Sequence, residues 1–173
     1  MISLLALVWA FGVASLQDSG DPLAPVQEGK LQCYSPDRVN KTCQSLAGYV
    51  PDGRGGYRNT AEVLLARAPR LTLETVTPVT IKSGAVCGFI RKMDIDAGIV
   101  RQDGAPITGE AAQRIRDAAS RAMEPLADQE ICTSYIADGD HWIARGTIGG
   151  AAGKLPDQMV IWVSPADGYR VAR

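Results

Sequence analysis

The chain holds a single histidine in 173 residues, no two cysteines closer than ten positions, and no apolar run of bilayer length. Each scarcity excludes a class of chemistry. Zinc sites draw ligands from close pairs such as C-x-x-C, and dithiol redox motifs need the same spacing. Neither pattern occurs, so no metal or redox cofactor is expected. The net charge is −1, with Arg, Lys, Asp and Glu interspersed along the sequence. There is no basic stripe for nucleic acid and no acidic block for a polycation. The nearest thing to a cluster, Arg67, Arg70, Arg91 and Lys92, is dispersed and suits a solvated surface.

Charge is missing altogether from the first seventeen residues, MISLLALVWAFGVASLQ. The apolar stretch from Ile2 to Leu16 is shorter than the ~20 residues of a spanning helix and fits the core of a signal peptide, ~7–15 residues. Small side chains at Val13-Ala14-Ser15 place cleavage after Ala14 or Ser15. The leader lacks the usual Lys or Arg, which leaves a buried N-terminal strand or an uncleaved anchor as the alternative. The expected organisation is a signal peptide over 1–15, a flexible tether over 16–30 (rich in Gly, Pro and acidic residues) and one domain over 31–173. Such a protein is exported, to a periplasm or the extracellular space, with no stable membrane span after cleavage.

Four cysteines follow the leader: Cys33, Cys43, Cys87 and Cys132. Four allow three pairings. Spacing favours Cys33–Cys43, which brackets a turn containing Pro36 and Asn40, and Cys87–Cys132. By loop length the first bridge contributes about 3 kcal/mol and the second about 4 kcal/mol in the chain-entropy account.

Strand signals recur along the domain. Thr42–Val50 and Tyr57–Ala66 flank the turn-forming PDGRGG. Residues 70–82 alternate and are rich in β-branched side chains, with Pro78 marking an edge or bulge. Residues 85–92 form another strand, and 93–97 a short helical turn. Asp103-Gly104 and Asp138-Gly139-Asp140 mark hairpins, and 158–163 is a compact apolar strand. One long helix is expected over about 109–127, with Thr108 as N-cap and Ile115, Ala119, Ala122, Met123 and Leu126 on one face. The predicted fold is therefore α+β: a small antiparallel sheet of several hairpins packed against one main helix and pinned by disulfides.

Chemical motifs fail on inspection. Gly149–Lys154 (GGAAGK) resembles a phosphate loop, but the first glycine is out of place and Leu155 stands where Ser or Thr is needed. His141 lies in Asp138-Gly139-Asp140-His141-Trp142, a setting that suits a general base oriented by an aspartate, but no nucleophile elbow accompanies it. Asp138 and Asp140 lack the rest of a calcium loop. Asp138, Asp140, His141 and Trp142 are nonetheless the candidates for a binding site. Glu74, Asp94, Asp96 and Glu130 are available for carboxylate chemistry without being singled out. The aromatics Trp142, Trp162, Tyr49, Tyr57, Tyr135 and Tyr169 fit a core and a binding face equally.

Two functions are compatible with this. The first is a non-enzymatic binding or accessory module whose partner is a protein or envelope component. The second is a small secreted hydrolase using carboxylates with His141. The compartment argument has a direct check. Intact mass of the exported protein should show an N-terminus at residue 15 or 16, no free thiol before reduction and four after it. Two free thiols in the native protein would overturn the assignment.

Overall fold

The computed structural model describes residues 20–150 and 153–172. Its strands are β1 (Leu31–Tyr34), β2 (Thr42–Cys43), β3 (Ser45–Pro51), β4 (Tyr57–Arg67), β5 (Arg70–Lys82), β6 (Ala85–Phe89), β7 (Ile99–Gln102), β8 (Ala105–Pro106), β9 (Glu130–Asp138), β10 (His141–Ile148), β11 (Gly153–Lys154), β12 (Gln158–Val163) and β13 (Arg170–Val171). The helices are α1 (Lys92–Asp96) and α2 (Gly109–Met123), the second running on into a 3-10 turn at Glu124–Leu126. Further 3-10 turns occupy Ala24–Glu28 and Pro165–Asp167.

Eight strands close into an antiparallel barrel. The ring runs β1, β3, β4, β5, β6, β9, β10, β12 and back to β1. Barrel strands that follow one another in sequence are neighbours in space, so the topology is an up-and-down meander. This corrects the expected α+β sheet packed on a helix. The hairpins are local and legible, but the pairing that closes them joins Leu31–Tyr34 to Val160–Val163 across almost the whole chain. Nor does α2 cover a sheet face. It belongs to an insertion between β6 and β9, made of α1, β7, β8 and α2, which packs against one end of the barrel.

Strand alternation sorts side chains between inside and outside. In one direction Tyr34 lies opposite Val160, Val160 opposite Trp142 and Trp142 opposite Ala137. In the other, Tyr34 lies opposite Ser45, Ser45 opposite Val63 and Val63 opposite Leu73. These positions face inward. The outward positions of β4 include Arg58, Thr60 and Glu62, while Val50, Val76, Ile136 and Met159 are exposed on the outer face of other strands. No helix among the described residues is long and apolar enough to cross a membrane.

Long β5 serves two partners on one edge. Leu71–Glu74 pairs with β7 and Val79–Lys82 with β6. Pro78 falls in the interval between them, where its missing N–H leaves no ladder bond unmade on that edge. Gly88 of β6 is needed where the wall meets β5: a Cβ there would sit 2.9 Å from Val79 Cγ1 and 3.3 Å from the Pro78 carbonyl oxygen.

Both expected disulfides are present, and no described cysteine is free. Cys87 and Cys132 are directly opposite on β6 and β9, so this bridge lies within the barrel wall. Cys33–Cys43 fastens a small outer layer to it. There β2 pairs with β13, and the two cysteines pack with Ile161 and Val163, joined by Leu31, Leu46 and Tyr169.

The helix prediction was close, although the Thr108 side chain makes no capping hydrogen bond. The predicted signal peptide and the first residues of the tether lie outside the described residues. Within the stretch expected to be a tether, Leu23 is 0% exposed. It packs with Ala47, Tyr49, Val79 and Val86, and with Val26 it closes one end of the barrel beside Tyr57, Ile81 and Trp162. Composition obscured this because a single leucine among Asp, Gly and Pro carries no periodic signal. Leu23→Ala should therefore destabilise the fold by about 2–5 kcal/mol, the usual range for a buried leucine. Urea denaturation checks this, and a loss under ~0.5 kcal/mol, typical of a surface substitution, would show that the plug is incidental.

Candidate functional site

The plugged end and the insertion leave a cavity of about 440 Å³ between them. An eight-stranded barrel is just wide enough to be filled by side chains or to hold one small ligand. Here the middle of the barrel is lined by modest side chains, among them Thr75, Thr77, Gly88 and Thr133, so space remains. Val63, Leu73, Val79, Val86 and Ile131 make its walls apolar.

The inner end is formed by phenols. Tyr34 of β1, Tyr49 of β3 and Tyr135 of β9 line the cavity and converge on Gln32, which is 0% exposed behind them. Tyr49 Oη donates to Gln32 Oε1 at 2.8 Å. Tyr34 and Tyr135 lie 3.0 and 3.1 Å from the same oxygen and 2.6 Å from each other. A carbonyl oxygen has two lone pairs. The arrangement is satisfied when Tyr49 and one of the other two phenols donate to Gln32, and the remaining phenol donates to its neighbour. Gln32 Nε2 has no partner among the described residues.

Enclosure tunes these phenols. Burial, followed by the neighbouring Tyr49 and Tyr135, pushes the Tyr34 hydroxyl well above the ordinary phenol value. Burial, followed by Tyr135, does the same for Tyr49. Tyr34 keeps some accessible surface, all the same, because it borders the cavity.

The opposite end is the mouth. Ile90, Ile95, Ala119, Ala122 and Met123 bring the insertion to its edge, while Val63, Leu65 and Phe89 are exposed on the rim, Phe89 at 46%. One ion pair stands there. Arg91 reaches Asp94 through Nη2 to Oδ1 at 2.7 Å and Nε to Oδ2 at 3.0 Å, and Thr77 Oγ1 donates to Asp94 Oδ2 at 3.1 Å. The Thr77 hydrogen bond ties α1 to β5, and the ion pair leaves the two charges that line the mouth balanced.

The residues singled out from sequence lie elsewhere. His141 opens β10 directly opposite Asp138, with Nε2 3.4 Å from Asp138 Oδ2 and Nδ1 3.2 Å from Asp140 Oδ1. Asp140 also takes Arg38 Nη1 at 2.6 Å. The hydrogen bond from His141 and then that from Arg38 hold the Asp140 carboxyl below its usual value. This is an outer polar corner that does not line the cavity. Trp142 points the other way, into the barrel opposite Val160 and Ala137. Of the four carboxylates, only Asp94 lines the cavity. Glu74 pairs with Arg101, Asp96 with Lys92 and Glu130 with Lys82. No group of three or more potential metal ligands occurs among the described residues. His141 does not line the cavity that Asp94 lines. The GGAAGK segment ends in β11, paired to β10 as a hairpin arm.

Sequence reasoning named Tyr49 and Tyr135 without joining them, and missed Tyr34 and Gln32. The only signal was alternation in the four residues of β1, too short to register.

Alkaline titration tests the phenol cluster. A phenol whose folded pKa is raised contributes stability fully present below the unfolded value of about 10 and lost as pH rises through the folded value. Phenolate absorbance from Tyr34 and Tyr49, isolated by difference against Tyr34→Phe and Tyr49→Phe, should grow only as the circular dichroism of the barrel disappears. Ordinary titration within an intact fold would contradict the enclosure. No family model, no curated protein and no solved structure matches this chain, so the functional reading stands on the cavity itself.

Proposed function

We propose that the protein is an exported, non-enzymatic binding module that holds a small, mainly apolar molecule inside its barrel. The observation that carries this is the cavity of about 440 Å³, with apolar walls and a few convergent polar groups at its inner end. That volume falls within the ~300–1,000 Å³ range of sites that enclose small ligands, and the mixture of lining groups is typical of them. The two disulfides suit an oxidising compartment, where the predicted leader would send the chain. An envelope component would then be the source or recipient of the molecule.

Among the described residues, no histidine or lysine stands beside the hydroxyls that line the space. Its single carboxylate is engaged by Arg91 and Thr77. Binding needs neither group, whereas hydrolysis would need at least one free.

Titration with an apolar fluorophore, N-phenyl-1-naphthylamine, provides the test. Saturable one-to-one binding in the micromolar range is expected. Ala122 lies at the mouth on α2 and is exposed, so Ala122→Phe should narrow the entrance without disturbing a packed core. It should weaken binding by about tenfold or more, which is about 1.4 kcal/mol or more. Non-saturable binding, or unchanged affinity in a folded Ala122→Phe protein, would reject the cavity as the site.

A further inference from the structure

The phenols at the inner end restrict what the cavity can hold, an inference that rests on the binding reading above. Three hydroxyl protons are available there, and all three are used within the cluster. Tyr49 donates to Gln32 Oε1, and the Tyr34–Tyr135 pair spends one proton between its members and one on the same oxygen. Gln32 is fully buried behind the phenols. Gln32 does not line the cavity, so its unpartnered Nε2 stays behind the phenols, and the polar atoms met at this end are phenol oxygens whose protons are spent on Gln32 or on one another, with lone pairs left to accept.

Charge narrows the choice. The ionised groups that line the cavity, Arg91 and Asp94, are at the mouth and neutralise each other. Among the described residues, no counter-ion stands at the inner end for a carboxylate or an ammonium, and burying an unpaired charge is expensive. The raised pKa values of Tyr34 and Tyr49 keep those two phenols neutral.

We infer that the occupant is a neutral molecule with an apolar body and a single hydroxyl or N–H at its buried end, which donates to the oxygens of Tyr34, Tyr49 and Tyr135. The apolar remainder lies along Val63, Leu73 and Ile131 toward the mouth.

Competition against N-phenyl-1-naphthylamine on the oxidised, leader-processed protein tests this with three compounds of equal chain length: a primary alcohol, the matching methyl ketone and the matching carboxylate. The alcohol should displace the probe at a concentration at least tenfold lower than either of the others. Tyr49→Phe and Tyr135→Phe, checked for folding by circular dichroism, should shrink that advantage and leave ketone affinity within about twofold. Equal or better competition by the ketone or the carboxylate would overturn the inference, and the wild-type series decides it even where a variant fails to fold. A probe that binds without discrimination among the three compounds defeats this inference alone. A probe that does not bind at all defeats the binding reading as well.

Discussion

The four-residue strand β1 is the constraint on which the rest depends. Its backbone pairs with β12 on one edge and β3 on the other, so it closes the barrel. Without that ladder, two edges would stand open to other chains. Its alternation also places Gln32 and Tyr34 inside and Cys33 outside. One short strand therefore supplies the closure, the buried amide that gathers the phenols, and the cysteine that anchors the outer layer. Leu23 comes a few residues earlier, and the Gly29 turn brings the chain from the plug into β1.

The cavity follows from how volume is distributed along the inward positions. Large side chains gather at the plugged end, where Tyr57, Ile81 and Trp162 surround Leu23. Thr75, Thr77, Gly88 and Thr133 take inward positions farther along the strands and line the cavity. Side chains of that size do not meet across an eight-stranded barrel. The phenol cluster stands at the transition between the filled and open regions. Buried polar groups are costly unless bonded, and two hydroxyls on one carbonyl with a third on its neighbour meet that requirement only in a restricted geometry. A cluster so constrained holds three strands in fixed relation while keeping polar atoms on the surface of an otherwise apolar space.

What the sequence made legible were features carried by neighbouring residues. The hairpins at Asp103-Gly104 and Asp138-Gly139, the alternation of residues 70–82, the amphipathic helix and both disulfides follow from short-range patterns. Closure was hidden because a ladder between Leu31–Tyr34 and Val160–Val163 leaves no mark in either segment. The helix was visible but its role was not. An apolar stripe of Ile115, Ala119 and Met123 fits a sheet face as well as a barrel mouth. The candidate site failed for the same reason. His141 and its aspartates are conspicuous because they are adjacent in sequence, whereas the phenols meet only once β1, β3 and β9 are assembled.

The insertion between β6 and β9 explains how such a barrel could take up a molecule without losing its fold. The insertion has its own core of Leu73, Ile95, Val100 and Ala112, distinct from the plugged-end core around Leu23. The cavity lies between the two, bordered by both and filled by neither. Leu73 joins them through β5, whose first half pairs with β7 and whose last residues pair with β6. The Asp94–Thr77 hydrogen bond adds a polar tie from α1 to the same strand. An occupant of the cavity would gain contact with Ala119, Ala122 and Met123 on one side and the phenols on the other while displacing neither core. A barrel filled throughout by side chains would have to break its own packing to admit a ligand. This one has its stabilising contacts at the two ends and its cavity between them.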